Sequence, residues 1–138
     1  MKKTISVFLL ALGLLTVLDH GTGLAMGRKP KHYSDVKTIT KEELSEQVKS
    51  GVPVQIVNVL SPNSYKLGMI KGSKKIPLNE LEKRLGELDK TQLVVTYCAS
   101  YRCGASAEAA HKLTGLGYNV RAYEGGIKEW KEAGLPVE

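Results

Sequence analysis

Two cysteines, Cys98 and Cys103, are the residues of this chain best suited to chemistry, and the sequence contains no others. Cys98 follows the apolar, β-branched run Leu93–Tyr97, which predicts a buried strand, and a helix-forming segment begins at Ala105. Ligands of parallel α/β sheets bind at the carboxyl ends of strands. The unpaired N–H groups that open the following helix carry partial positive charge, which lowers the pKa of a nearby thiol. This placement predicts a nucleophilic cysteine at Cys98, with a buried structural thiol as the alternative.

The loop after Cys98 is predicted to bind the substrate. A thiolate on Cys98, or an anionic adduct on its sulfur, would face the backbone amides of this loop and need access to solvent. Arg102 either pairs with an anion there or is a solvated loop cation. The predicted substrate-binding residues are Ala99, Ser100, Tyr101, Arg102, Cys103 and Gly104.

Composition limits the classes of function. With 138 residues, 42% hydrophobic and 25% charged, the chain fits one soluble domain. The net charge of +6 favours small anionic substrates but is too dispersed to indicate nucleic-acid binding. Two cysteines and three scattered histidines make neither a disulfide framework nor a metal ligand set. We therefore expect no metal and no cofactor.

The first residues predict an export signal. Lys2 and Lys3 precede the apolar run from Ile5 to Leu18, which is shorter than the ~20 residues that span a bilayer. Small residues up to Ala25 suit a cleavage site, so residues 1–25 are predicted to be a signal peptide. An uncleaved membrane anchor is the alternative. Residues 26–35 are interpreted as a flexible basic tether and residues 36–138 as the domain. We expect a bacterial periplasmic or secreted monomer with no stable membrane association once the leader is removed.

Strand and helix patterns alternate along the domain. Strands are predicted at 36–39, 54–60, 74–76, 92–97 and 120–123, and helices at 41–49, 61–67, 78–88, 105–114 and 127–133. Thr40 and Glu43 have the spacing of a capping box at the start of the first helix. This order predicts an α/β fold with a mainly parallel, five-stranded sheet and right-handed crossovers.

The loop and the chain after it resemble the single-domain rhodanese family of sulfurtransferases. The resemblance rests on Cys98, Ser106, the helix that follows, and the ordered motifs Leu116–Val120, Tyr123–Ile127, Trp130 and Ala133–Val137. It implies a three-layer α/β/α fold. It also implies that Cys98 takes sulfane sulfur from an anionic donor such as thiosulfate, carries it as a persulfide, and passes it to a thiol or cyanide-like acceptor.

Several positions depart from the family pattern. The loop is longer than usual, and Asn58, Leu60 and Met69 replace the family's Asp, Arg and His, residues that support the site. In the related phosphatase loops an arginine stands where this chain has Gly104, which argues against phosphatase chemistry.

Cys103 is an additional thiol five positions after Cys98, and we interpret it as a possible resolving thiol. It can attack a Cys98 persulfide or sulfenate to leave a disulfide if the two Cα atoms lie within about 7 Å. The alternative is a thiol packed under the loop. Two other functions therefore stay open beside sulfur transfer: a thiol–disulfide redox protein that uses both cysteines, and an inactive rhodanese-like binding module.

Aromatic residues and a histidine lie near this loop in the predicted fold. Tyr97, Tyr101 and Tyr123 are expected to frame the mouth of the pocket, with Tyr101 the strongest candidate. Trp130 is expected to pack in the core or at its rim. His111 is expected on the solvent side of its helix and is not proposed as a catalytic base.

Overall fold

The structure, a computed structural model, describes residues 32–138. The predicted signal peptide and most of the predicted tether lie outside the described residues. Three α-helices and four strands are formed: α1 (Lys41–Ser50), β1 (Val54–Asn58), β2 (Lys74–Lys75), β3 (Leu93–Tyr97), α2 (Ala105–Gly115), β4 (Val120–Tyr123) and α3 (Gly126–Glu132). Two 3₁₀ helices occupy Pro62–Leu67 and Leu81–Glu87. No helix from residue 32 onward is long and apolar enough to cross a membrane.

The strands form one parallel sheet in the order β2-β1-β3-β4. The central strands β1 and β3 pair along their whole length, from Val54 opposite Leu93 to Asn58 opposite Tyr97. Both strands are almost entirely buried, as a parallel sheet covered on two faces requires. Because all strands point the same way, Asn58, Tyr97 and Tyr123 end at one edge, where Cys98 follows β3.

The described residues form four of the five predicted strands. At the position of the fifth, Thr38 makes a single parallel bridge to Ala122 beside β4. The Ala122 amide donates to Lys37 O and the Ile39 amide to Ala122 O. The next residue, Thr40, already caps α1 through the predicted capping box, so the extended segment has no room to lengthen.

Helices cover both faces of the sheet, which confirms the three-layer α/β/α architecture. Val57 and Val94 pack with Leu113 of α2 on one face. On the other face, Val95 packs with Trp130 of α3 in a second buried cluster. Alternate residues of each strand thus belong to opposite clusters, and the sheet holds the Cys98 loop between α2 and α3.

The segment predicted as an amphipathic helix over 78–88 is instead a kinked 3₁₀ helix, Leu81–Glu87. The Leu78 amide donates to Val59 O, which keeps Leu78 in extended pairing with the chain after β1. Arg84 has non-helical dihedral angles at the kink and binds both Glu80 and Glu87. The apolar spacing correctly predicts burial of Leu81, but the extended pairing of Leu78 and the non-helical Arg84 interrupt an α-helix.

Candidate functional site

The buried strand β3 places Cys98 at the carboxyl edge of the sheet. The four residues before Cys98 are fully buried, and the Val59 amide donates to Tyr97 O at 3.1 Å. The chain then turns through residues 99–104 and enters α2 at Ala105. The predicted strand–loop–helix position of Cys98 is therefore observed.

The first part of the loop is fixed by the start of α3. The Ile127 amide donates to Cys98 O and the Lys128 amide to Ala99 O, both at 3.0 Å. The backbone approaches closely because Gly126 has no side chain: a Cβ there would lie 2.5 Å from Cys98 O and 2.7 Å from Ser100 N. Gly126 also has a φ of +63°, a conformation that favours glycine. The position of Cys98 thus depends on Gly126.

Cys98 and Cys103 form a disulfide bond, with their Cα atoms 6.3 Å apart. A tight turn brings the cysteines together, since the Cys103 amide donates to Ser100 O at 2.9 Å. The Cα separation lies within the range that a disulfide needs. The sequence left open whether this bond exists, and the structure contains it.

The disulfide closes the site around the Cys98 sulfur. Its Sγ lies 3.1 Å from Cys103 O and 3.6 Å from Ser106 Oγ, whose hydroxyl can donate to it. The expectation of an exposed sulfur surrounded by loop amides is wrong for this state, since Cys98 is 0% exposed and its polar contacts are a carbonyl and a hydroxyl. The physical reason is the bond itself, which holds Cys103 over Cys98.

The two sulfur-bearing residues differ in burial. Cys98 belongs to the buried cluster between the sheet and α2, whereas Cys103 is half-buried at its rim. A molecule in solution therefore reaches the disulfide from the side of Cys103.

Tyr101 and Tyr123 share one carboxylate. The Tyr101 hydroxyl donates to Glu129 Oε1 at 3.2 Å, and the Tyr123 hydroxyl donates to Glu129 Oε2 at 2.7 Å. Burial raises the pKa of Tyr123 strongly, and the hydrogen bond to Glu129 raises it further. Tyr101 is 64% exposed, as the prediction for a residue at the mouth requires. Sequence reasoning missed Glu129, because nothing in the sequence showed that the loop would reach the first turn of α3.

Tyr97 does not frame the mouth, contrary to expectation. Its side chain is fully buried, and its hydroxyl accepts a hydrogen bond from the Ile70 amide at 3.1 Å and contacts Ser73 Oγ at 2.9 Å. Burial raises the pKa of Tyr97. The segment that leads to β2 covers Tyr97, the last residue of β3, so the Tyr97 ring is part of the buried core.

Two surface cavities flank the loop at Ser100. One, of about 400 Å³, is lined by Leu67, Ala99, Ser100, Ile127, Lys128, Lys131 and Glu132. The other, of about 390 Å³, is lined by Ser100, Tyr101, Arg102, Gly125, Lys128, Glu129 and Glu132. Arg102 and Lys128 are exposed there and can meet an anion. Neither cysteine lines either cavity, so in the disulfide state the cavities adjoin the sulfur without reaching it.

The residues that depart from the family pattern have structural contacts. Asn58 is fully buried, and its Oδ1 accepts a hydrogen bond from the Leu60 amide at 3.0 Å. Met69 is buried, and its backbone pairs in both directions with Glu138 at 2.9 Å. Neither side chain supplies a charged group to the cysteine loop.

His111 and Trp130 lie where the sequence predicted them. The His111 side chain is on the solvent side of α2, where its Nδ1 pairs with Asp35 at 2.8 Å and its ring stacks on Tyr33. These contacts join the end of the predicted tether to α2, away from the cysteine loop. Trp130 is 1% exposed, and its Nε1 donates to Pro136 O.

Comparison with known proteins agrees with this geometry. The rhodanese-like domain family model matches residues 40–133. A sulfurtransferase of Allochromatium vinosum is 34% identical over 104 residues, covering 74% of this chain and 94% of the relative. The HTH-type transcriptional regulator Rv0324 of Mycobacterium tuberculosis is 32% identical over 130 residues, covering 94% of this chain, which spans only 57% of the regulator's length.

Solved structures show the same relationship. The crystal structure of a rhodanese-related protein from Thermoplasma volcanium has a TM-score of 0.66 and 31% sequence identity, covering 74% of this chain and 97% of that one. With a family match over most of the domain, a parallel sheet and a cysteine loop between β3 and α2, this chain belongs to the rhodanese-like family.

Proposed function

We propose that this protein is a sulfurtransferase that carries sulfane sulfur as a persulfide on Cys98. The observation that carries the proposal is the place of Cys98, directly after the buried strand β3 and before α2, in a rhodanese-like chain. The similarity to a sulfurtransferase over most of the domain supports the same class of reaction.

Transfer takes place in two displacements at sulfur. With thiosulfate as donor, the Cys98 thiolate attacks the outer sulfur, the sulfur–sulfur bond of the donor breaks, and sulfite leaves with the electron pair. Cys98 then bears a persulfide, whose outer sulfur a thiol or cyanide-like acceptor attacks. No metal or cofactor is needed for either step.

The reaction starts from the reduced protein. In the disulfide state Cys98 has no free thiol, and Cys103 O lies 3.1 Å from its sulfur, where it would repel a thiolate. Opening the disulfide frees the outer loop to move that carbonyl away. The Ser106 hydroxyl, whose Oγ lies 3.6 Å from the sulfur, is then a hydrogen-bond donor available to a negative sulfur.

The charges beside the loop support a small anionic donor. Arg102 and Lys128 are exposed at a cavity lined also by Ser100. Two cations at a cavity of this size can pair with a sulfonate-type group. The same cavity includes Glu129 and Glu132, which disfavours a polyanion such as nucleic acid.

The test is mass spectrometry of reduced, desalted protein after anaerobic exposure to thiosulfate. Because Cys103 adds chemistry of its own, the decisive comparison uses Cys103→Ser, which is expected to gain about 32 Da, the mass of one sulfur atom. The matched control Cys98→Ser, which removes the other thiol of the same loop, is expected to gain nothing. If Cys103→Ser releases no sulfite and gains no mass from thiosulfate or from polysulfide, the proposal fails, and a redox protein or an inactive binding module is left.

The disulfide itself favours a second candidate, a thiol–disulfide redox protein. Such a protein would exchange its disulfide with external thiols and have no need of a sulfur donor. It is distinguished by equilibrating the wild type in glutathione buffers of known potential. A bond that is half reduced within the range of those buffers, together with no mass gain on Cys103→Ser, would favour this candidate over sulfur transfer.

We further propose that the protein works outside the inner membrane of a bacterium as a monomer. The support for the location is the sequence pattern of residues 1–25. Expression of the full chain followed by cell fractionation and N-terminal sequencing tests both cleavage and location. Retention of Met1 on a membrane-bound product would favour the anchor instead. Light scattering of the purified protein measures the oligomeric state.

A further inference from the structure

The bond between Cys98 and Cys103 is the bond that would form if Cys103 resolved a persulfide on Cys98. We propose that sulfur accepted by Cys98 leaves as hydrosulfide, because the Cys103 thiol displaces it to form the disulfide, and that a dithiol reductant then reopens the disulfide. This inference rests on the proposed function and names the resolving thiol and the reductant class for the same site.

The step balances without an outside oxidant. The Cys103 thiolate attacks Cys98 Sγ, the bond between Cys98 Sγ and the outer sulfur breaks, and hydrosulfide leaves with the electron pair. The sulfane sulfur is reduced to sulfide, and the two cysteine sulfurs are oxidised to the disulfide. A dithiol returns both cysteines to thiols and becomes a disulfide itself. The net reaction converts thiosulfate and a dithiol into sulfite, hydrogen sulfide and the oxidised dithiol.

The geometry favours the internal thiol over an external acceptor. The two Cα atoms are 6.3 Å apart on one short turn, held by the bond from the Cys103 amide to Ser100 O. A thiol fixed at this distance has a much higher effective concentration than a thiol in solution.

The difference in burial sets the direction of the reductive step. Cys103 is half-buried and Cys98 is 0% exposed, so a reductant thiolate attacks Cys103 Sγ. The mixed disulfide then forms on Cys103, and Cys98 leaves as the thiolate that the next donor requires. Arg102 and Tyr101, both exposed beside Cys103, are the first side chains that such a reductant meets.

The experiment is an anaerobic single turnover of the reduced wild type with excess thiosulfate, after the dithiothreitol used for reduction has been removed. Hydrosulfide is trapped with monobromobimane, sulfite is assayed, and the intact mass is measured. We expect about one equivalent each of sulfite and hydrosulfide per chain, and a final mass about 2 Da below the reduced form. Cys103→Ser is expected to release sulfite, keep the added sulfur, and yield at least ten-fold less hydrosulfide.

The outcomes separate this inference from the proposed function. Wild type that keeps the added sulfur and releases sulfite without hydrosulfide overturns the inference and leaves the sulfurtransferase standing. Loss of 2 Da without hydrosulfide also overturns it, because the disulfide would then have formed without sulfur. If neither protein releases sulfite, the sulfurtransferase itself fails. The wild type decides the point alone if Cys103→Ser does not fold.

Discussion

The two halves of the cysteine loop are held by different kinds of contact. The inner half, Cys98 and Ala99, is bonded through its carbonyls to two α3 amides and packs against Gly126 with no room for a side chain. The outer half, Tyr101 to Cys103, lies at the surface and is held by the disulfide, two turn hydrogen bonds from the Arg102 and Cys103 amides to Ser100, and the contact of Tyr101 with Glu129. The inner half is thus built into the core, and the outer half is fastened by bonds that can open.

This difference suits a site that must both fix a sulfur and admit substrates. The inner half is expected to keep Cys98 at the tip of β3 when the disulfide opens, because its backbone hydrogen bonds to Ile127 and Lys128 do not involve the disulfide. The outer half loses its strongest connection when the disulfide is reduced. Access to Cys98 is therefore controlled by the outer half, and the predictions below test how firmly each half and its contacts are held.

The largest effect is expected from Gly126→Ala. The new Cβ would lie within 2.7 Å of backbone atoms of Cys98, Ala99 and Ser100, and φ is +63°. Overpacking against backbone and the strain of a left-handed conformation together are expected to lower the free energy of unfolding by about 3 kcal/mol. Urea denaturation followed by tryptophan fluorescence of Trp130 measures the change.

Gly134→Ala is the matched control for that substitution. Gly134 has a similar φ of +68°, but a Cβ there meets nothing within 4 Å. Only the conformational strain of about 1 kcal/mol is expected. Equal losses in the two variants would show that the close approach of α3 to the loop does not hold the inner half.

The second largest effect is expected from reducing the disulfide. Closing so short a loop restricts the unfolded chain by an amount worth about 2 kcal/mol. Urea midpoints of the wild type with and without dithiothreitol measure it, and Cys103→Ser should give the same midpoint under both conditions. No shift in the wild type would mean that the disulfide contributes no net stability to the folded protein.

The inner half was the more predictable from sequence. The β-branched run of β3, the helix former after it and the position of Cys98 between them depend on local pattern, and all were predicted. The tight fit of Gly126 against Cys98 was not, because a contact between α3 and the loop depends on how the whole sheet brings them together. The contact of Glu129 with Tyr101 of the loop was not predicted for the same reason.

The outer half and the edges of the sheet depend on contacts that local sequence pattern does not predict. The five-residue spacing of Cys98 and Cys103 is compatible with a disulfide but does not predict one, since the Cα separation depends on the turn at Ser100. In place of the predicted fifth strand there is a single bridge at Thr38, because the N-cap of α1, Thr40, lies only two residues further on. Tyr97 was expected at the mouth, but chain from a distant part of the sequence covers it.

A smaller effect is expected in the site of attack on the disulfide. Brief treatment of the oxidised wild type with glutathione, followed by alkylation and trypsin, should place the mixed disulfide on Cys103 at least about ten-fold more often than on Cys98, a preference of about 1.4 kcal/mol. Trypsin cleaves after Arg102 and so separates the two cysteines. The same treatment in urea is the control and should show no such preference. Preferred attack on Cys98 would contradict the burial argument.

The smallest effects are expected at the two tyrosines that share Glu129. Tyr123→Phe removes a bond to a carboxylate from a buried residue, which should lower the free energy of unfolding by about 1 kcal/mol, whereas Tyr101→Phe at the exposed surface should cost less than about 0.5 kcal/mol.

The pH dependence sharpens this contrast. Folding raises the pKa of Tyr123, mainly through burial and then through the hydrogen bond to Glu129. The neutral phenol therefore contributes stability below the ordinary tyrosine pKa of about 10. That stability is lost as the pH rises further, because the unfolded chain loses its proton first. Melting temperatures between about pH 8 and pH 11 should therefore fall more steeply for the wild type than for Tyr123→Phe, and Tyr101→Phe should stay close to the wild type. Parallel curves for all three proteins would mean that the neutral form of Tyr123 is stabilised in the fold no more than that of Tyr101.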